Sequence, residues 1–142
     1  MYKTVNMKRS GLVTGIIIVL AFIAFWLVGH SSQAQTRSIA GSWSGSGYLK
    51  PASGQRERVR CRAKFSKITS KLFSFSATCA SAAGSVRQTG QLTRATSTRY
   101  IGVFNNAQYG ISGRIRIVVK GSRQTVYLSG NQGSGQLSSS RR

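Results

Sequence analysis

Acidic side chains are almost missing from this chain of 142 residues, which has one Glu, Glu57, and no Asp. Histidine occurs once, as His30, within the first 34 residues. Catalytic triads, paired-carboxylate hydrolysis and His–carboxylate metal sites all need residues that the rest of the chain does not have. Since Glu57 stands between Arg56 and Arg58, it is better explained by a surface ion pair than by a general base. We therefore predict a protein that is not an enzyme and holds no metal or cofactor.

Helical periodicity is also missing after residue 34, where short stretches alternate apolar and polar residues with the period of a β-strand. Residues 59–65 and 73–79 alternate in this way. A hairpin about Ser70 then pairs like with like: Phe65 with Phe75, Ala63 with Ala77, and Cys61 with Cys79. A slip of one residue would move half of these side chains into water, so the pattern predicts a single register.

Cysteine is scarce as well, since Cys61 and Cys79 are the only two in the chain. Two cysteines in a small domain predict a disulfide when the domain is exported. They lack the C-x-x-C spacing of a redox pair and fall on the inward face of the hairpin. We predict a structural disulfide between Cys61 and Cys79.

The whole region after residue 34 reads as eight short strands joined by tight turns. The strands are predicted at residues 39–50, 57–65, 72–80, 85–94, 99–105 and 109–120, then after the Gly121-Ser122 turn and around residues 135–138, with a frayed basic tail at residues 139–142. Ile117 should meet Val126 and Ile115 should meet Leu128. Inward glycines on the first strand indicate bends or close backbone approach. The fold class is all-β, an eight-stranded antiparallel up-and-down β-barrel, with a β-sandwich as the alternative.

The first 34 residues have the pattern of a secretory signal peptide. Basic residues precede the apolar run at residues 16–28, and Ser32 and Ala34 are the small residues that signal peptidase reads. The alternative is an uncleaved membrane anchor over residues 11–29. Either way, the barrel domain at residues 35–142 should lie outside the cytoplasm. It is expected to be periplasmic or secreted, or else anchored to the inner membrane and facing the periplasm.

Positive charge is the strongest feature of the predicted domain, because 18 of the 21 Lys and Arg residues follow residue 34. Such an imbalance predicts an anionic partner. The predicted anion-binding residues alternate outward on two strands: Arg58, Arg60, Arg62, Lys64, Arg114 and Arg116. The expected partners are lipopolysaccharide, acidic polysaccharide or phosphate headgroups, with nucleic acid less favoured, bound by a monomer. Tyr127 shares a face with Arg116, which suits either a cation–π contact or base stacking.

The interior of an eight-stranded barrel either is filled by side chains or holds one small ligand. Trp43, Phe65 and Phe75 fit both descriptions, as core residues or as the wall of a site for a small apolar ligand. A carrier of such a ligand is therefore an alternative function. A protease-inhibitor-like barrel is a second alternative, although a lysozyme inhibitor should be acidic rather than basic.

Four short segments carry a resemblance to known proteins. Residues 43–47 (WSGSG), 57–62 (ERVRCR), 79–81 (CAS) and 109–113 (YGISG) resemble small exported single-disulfide β-barrel proteins of rhizobia-like alphaproteobacteria, whose function is unassigned. The resemblance implies export and a barrel fold, and it implies no site. The chain is more loosely similar to bacterial metalloprotease-inhibitor barrels and, in architecture alone, to avidin- and lipocalin-type barrels.

Overall fold

The computed structural model describes residues 38–142, and the predicted signal or anchor lies outside the described residues. These residues form eight strands and one short 3-10 turn: β1 Gly41–Pro51, β2 Glu57–Lys67, β3 Leu72–Ser81, β4 Gly84–Arg94, β5 Arg99–Asn106, the turn Ala107–Tyr109, β6 Ile111–Lys120, β7 Arg123–Gly130 and β8 Gly133–Arg141. Each strand pairs antiparallel with the next, and β8 pairs with β1. The fold is a closed up-and-down barrel, not a sandwich.

The hairpin of β2 and β3 has the predicted register. Phe65 pairs with Phe75, Ala63 with Ala77 and Cys61 with Cys79. The two cysteines form a disulfide, and their Cα atoms are 4.1 Å apart. Directly opposed residues come this close only where a strand pair is not hydrogen-bonded at that position. The register and the disulfide predicted from the sequence are confirmed.

Strand β6 begins at Ile111 and not at residue 109 as predicted, because Tyr109 belongs to a 3-10 turn at residues 107–109. The Asn106 side chain accepts a hydrogen bond from the Tyr109 backbone nitrogen at 3.0 Å. Gly110 then adopts a left-handed conformation with φ of 61°, which glycine allows at no steric cost. Beyond this turn, Ile115 pairs with Leu128 and Ile117 with Val126, as predicted.

The prediction of a frayed tail at residues 139–142 is wrong. Strand β8 continues to Arg141, which pairs with Trp43 of β1. Arg141 is an inward residue, and its guanidinium donates hydrogen bonds to the carbonyls of Ser38 and Ala40. The strand pairing and the hydrogen bonds of Arg141 join the last strand to the first, so the predicted tail completes the closure of the barrel.

Two inward glycines allow β1 and β8 to approach closely. A Cβ atom at Gly45 would overlap the carbonyl oxygen of Ser138, and one at Gly47 would overlap that of Gln136. A side chain at either position would therefore push the two strands apart. The predicted role of the inward glycines of β1 is confirmed at these two positions.

Large side chains concentrate at one end of the barrel, which we call the closed end: the end where β1 begins and β8 finishes. Trp43, Tyr100 and Phe73 are each at most 1% exposed there. Ile39 lies across this end, where its carbonyl accepts a hydrogen bond from the Trp43 indole at 2.8 Å. Its backbone nitrogen donates to the Tyr100 hydroxyl at 3.3 Å. Apolar side chains and hydrogen bonds together seal this end.

We call the other end, where β1 finishes and β8 begins, the open end. It is bounded by the turns after Pro51, Ser81, Asn106 and Gly130. Within residues 38–142, no helix has the length and apolar character needed to cross a membrane.

Candidate functional site

A cup lies at the open end of the barrel, with a volume of about 400 Å³. Its wall is mostly apolar and comes from the ends of strands on both sides: Leu49, Pro51, Val86, Phe104, Tyr109, Ile111 and Leu128. Four polar residues also line the cup: Lys50, Gln88, Gln132 and Ser134. The remaining lining residues are Gly130 and Gly133. The cup is roomy because most of the large aromatic residues of the core lie at the closed end, whereas glycines and aliphatic residues make up most of the interior here, with Phe104 as the buried aromatic residue.

A second, smaller cavity of about 50 Å³ lies deeper in the barrel. Gln88 and Leu128 line both the cavity and the cup. By itself, the cavity is large enough for a few water molecules, at about 10–15 Å³ each. The barrel interior is therefore filled at the closed end, partly open in the middle and wide at the open end.

The three predicted lumen residues line the small cavity and not the cup. Trp43, Phe65 and Phe75 are 1%, 4% and 6% exposed, and the ring centroids of the two Phe residues are 5.8 Å apart. They serve as core residues and at the same time face the cavity. Their contact with a ligand stays a prediction.

Two polar side chains inside the barrel were not identified from the sequence. Gln124 is 4% exposed, and it faces Ser139 across the β7–β8 pair. Both residues line the small cavity, and neither Gln124 Oε1 nor Ser139 Oγ has a hydrogen-bond partner among the described residues. Buried polar atoms are normally paired, so these two have hydrogen-bonding capacity that no described residue uses. The sequence signal for Gln124 was a Gln at an inward position of an alternating strand. Gln88 shows the same signal.

The basic residues predicted to bind anions do point outward, but they form two separate groups. Arg58, Arg60, Arg62 and Lys64 lie on β2, whereas Arg114 and Arg116 lie on β6. Three strands separate β2 from β6 in either direction around the barrel. The structure therefore does not bring the two groups to one surface, and anion binding by either group stays a prediction.

Tyrosines of the outer surface are held by arginines. The Arg116 guanidinium lies 4.3 Å from the centre of the Tyr127 ring, so the cation–π contact is present. Arg58 donates a hydrogen bond to the Tyr48 hydroxyl at 3.1 Å, and Arg56 lies 4.9 Å from the centre of the same ring. The hydrogen bond and the charge of Arg58 lower the pKa of the Tyr48 phenol, with a smaller contribution from Arg56. The same contact raises the pKa of Arg58.

The described part of the chain has no cluster of side chains that could bind a metal ion. Residues 38–142 contain no group of three or more His, Cys, Asp or Glu side chains close enough to hold an ion.

No known protein family matches the chain, and no curated protein sequence matches it. The resemblance to exported alphaproteobacterial barrels therefore stays a prediction. Solved structures do match, and they match over the barrel.

A redesigned β-barrel called mFAP1, in a structure with DFHBI bound, is similar with a TM-score of 0.60 and 13% identity, covering 72% of this chain and 94% of that one. A fluorescence-activating β-barrel designed de novo has a TM-score of 0.55 and 15% identity, with 72% and 92% covered. Rv2717c from M. tuberculosis has a TM-score of 0.51 and 12% identity, with 72% and 92% covered. At these identities the comparisons show a shared fold.

Proposed function

We propose that this protein is a non-enzymatic carrier that binds a small, mostly apolar molecule in the cup at the open end of the barrel. The observation that carries the proposal is the uneven filling of the interior. The closed end is packed with Trp43, Phe73 and Tyr100, whereas the open end keeps an apolar cup of about 400 Å³.

The sizes of the two spaces favour a ligand in the cup that reaches into the deeper cavity. Sites for small molecules usually measure about 300–1,000 Å³, and the cup falls in this range. The inner cavity of about 50 Å³ is too small for such a ligand but could hold its tip. Gln88 and Leu128 line both spaces, so the two lie next to each other.

The polar atoms inside the barrel suggest the chemistry of the ligand. Gln124 Oε1 accepts hydrogen bonds and has no partner among the described residues. A ligand with an apolar body and one hydrogen-bond donor at its tip would pair with this oxygen. Such a donor should strengthen binding, because a buried acceptor without a partner costs free energy. The residues that line the cup include no carboxylate, imidazole or thiol, which supports a carrier over a catalyst.

Similar barrels support the proposal at the level of fold. The redesigned barrel mFAP1 was solved with the small molecule DFHBI bound. A β-barrel with a similar fold can therefore bind a ligand. At 13% identity the comparison supports the fold and carries over no contact residue.

The disulfide suits an oxidising compartment such as the periplasm or the extracellular space. Together with the signal-like N-terminal segment, the Cys61–Cys79 bond supports our proposal that the barrel works outside the cytoplasm.

The experiment is a titration of the protein with N-phenyl-1-naphthylamine, a neutral dye that brightens in apolar surroundings. A neutral dye is needed because the basic outer surface would attract an anionic one. We expect saturable binding that Val86→Trp weakens at least about tenfold by filling the cup, whereas Val103→Trp, on the exposed outer face of β5, leaves it unchanged. Melting curves establish that both variants fold. Equal binding by the two variants, or no binding by the folded protein, would overturn the proposal.

A further inference from the structure

Small hydroxyl side chains cover the outer face of β1 and β8. Ser44 and Ser46 on β1 pair with Ser140 and Ser138 on β8, and all four point outward. Because these side chains are short, they leave two adjoining depressions of about 510 and 550 Å³. The depressions share Ser46 and Ser138. We call this continuous surface the serine trough.

Basic residues lie at both ends of the serine trough. Arg56, Arg58 and Arg60 line one end, beside Tyr48. Lys120 and Arg123, which pair with each other, line the other end, and Tyr127 also lines this depression. These five cations face no carboxylate within the trough, whose lining residues are Ser, Gly, Gln, Thr, Tyr, Val, Leu, Arg and Lys. The trough is an uncompensated positive surface with a hydrogen-bonding floor.

The spacing of the basic residues indicates an extended partner. Arg60 is on β2 and Arg123 is on β7, so three strand intervals separate them. At about 4.8 Å for each interval, the path around the barrel surface from β2 to β7 is roughly 14 Å long. A single small anion cannot reach both ends, whereas a chain with repeated negative groups can.

We propose that the serine trough binds an acidic polysaccharide through the carboxylates of its uronic acid units. Arginine forks match carboxylates in geometry and charge, and serine hydroxyls can both donate to and accept from sugar hydroxyls. Gln136, which is exposed at the edge of the trough, adds an amide group that can do the same. The trough and the cup share no residue, and none of the basic residues or outward serines that carry this proposal lines the inner cavity.

Two other polyanions fit the trough less well. Single-stranded nucleic acid binds by stacking bases on free aromatic faces, but Arg116 covers Tyr127 and both Arg56 and Arg58 lie over Tyr48. A lipid surface is usually bound by apolar side chains that enter the acyl boundary, together with the charges. The floor of the trough presents hydroxyl groups instead.

The test measures binding of the full chain to alginate, a polymer of uronic acids, by retention on immobilised polymer and by titration in solution. Affinity should fall steeply with rising salt, because binding releases counter-ions. Neutral dextran should not bind. Single-stranded oligothymidylate and vesicles with anionic headgroups, offered at the same charge concentration, should bind more weakly than alginate. Tighter binding of either one would replace the polysaccharide with that partner and overturn the proposal.

Two variants that each lose three positive charges, one inside and one outside the trough, distinguish binding at the trough from nonspecific electrostatic attraction. Changing Arg58, Arg60 and Arg123 to Ser removes three charges from the trough and should weaken alginate binding at least about thirtyfold. Changing Arg87, Arg99 and Arg114 to Ser removes three charges from exposed positions outside the trough and should have a much smaller effect. Equal losses in the two variants would mean nonspecific attraction and overturn the proposal.

A neutral variant tests the floor of the trough. Ser138→Phe fills the trough without changing the charge and should weaken alginate binding about tenfold. Melting curves establish that each trough variant folds, and dye binding in the cup should stay unchanged in all of them. Because that readout is separate, failure of the trough would not count against the cup, and failure of the cup would not count against the trough.

Discussion

The guanidinium of Arg141 lies 4.5 Å from the centre of the Trp43 ring. The two residues are direct partners in the β1–β8 pair that closes the barrel. Arg141 also holds the carbonyls of Ser38 and Ala40, which precede β1. One arginine near the C-terminus therefore joins the last strand, the first strand and the segment that covers the closed end.

Arg141→Ala should destabilise the barrel by roughly 2–4 kcal/mol, because it leaves two carbonyls without their charged donor and removes the contact with Trp43. Chemical denaturation followed by circular dichroism measures the change. Arg142→Ala is the control, since Arg142 is exposed and its side chain contacts the Ser44 hydroxyl. That substitution should change stability by at most about 0.5 kcal/mol. Equal effects of the two substitutions would show that Arg141 has no special role in closure.

Replacing both cysteines by Ala should lower the free energy of unfolding by about 3 kcal/mol, because an open chain has more conformational freedom than one with a short closed loop. The bond joins residues that are 18 positions apart. Apolar side chains on both sides of the disulfide should keep the register, so far-ultraviolet circular dichroism of the folded variant should match that of the parent. A variant that loses its β-sheet spectrum would show that the bond specifies the register and does not merely stabilise it.

Gln124→Leu should leave stability unchanged or raise it by up to about 1 kcal/mol, because it removes a buried acceptor that has no partner among the described residues. Gln124→Glu is the contrasting change and should destabilise by more than about 2 kcal/mol at neutral pH, since it places a carboxylate in the core. Thermal melting at pH 7 compares the two. A large loss in Gln124→Leu would mean that the amide has a structural partner.

Arg58→Ala should raise the pKa of Tyr48 toward its ordinary value, because the hydrogen bond and charge that lower it are removed. A depressed folded pKa means that the pair contributes stability above the unfolded pKa near 10.0, and that this contribution is lost as pH falls through the folded value. Carbon-13 NMR of labelled tyrosine measures the titration. Arg62→Ala, which removes a charge from the same face of β2, should leave the Tyr48 titration close to that of the parent. An unchanged titration in Arg58→Ala would contradict the assignment.

The strand pairing could be predicted because several signals agreed on one register. Alternation in β2 and β3 placed apolar residues inward, and a single alignment also brought Cys61 and Cys79 together. The pairing of Ile115 with Leu128 followed in the same way from the short turn at residues 121–122. Local pattern and turn length are properties of neighbouring residues, so they can be recognised without the rest of the fold.

Features that depend on distant strands could not be predicted in this way. Arg141 looks like part of a basic tail until β8 meets β1, and only then do Ser38 and Ala40 become its neighbours. The position of the cup likewise depends on how eight strands are staggered around the barrel. The serine trough joins charges from β2 and β7, and a sequence read strand by strand gives no reason to group them.

Ser38 and Arg142, the first and last residues that the structure describes, both lie at the closed end, where Arg142 donates a backbone hydrogen bond to Ser42. A label, a reporter domain or a solid support joined at either residue would thus be attached on the side away from the cup. The barrel could be immobilised for binding measurements, or developed into a sensor for small molecules if the proposed binding in the cup is found, with the open end left unobstructed.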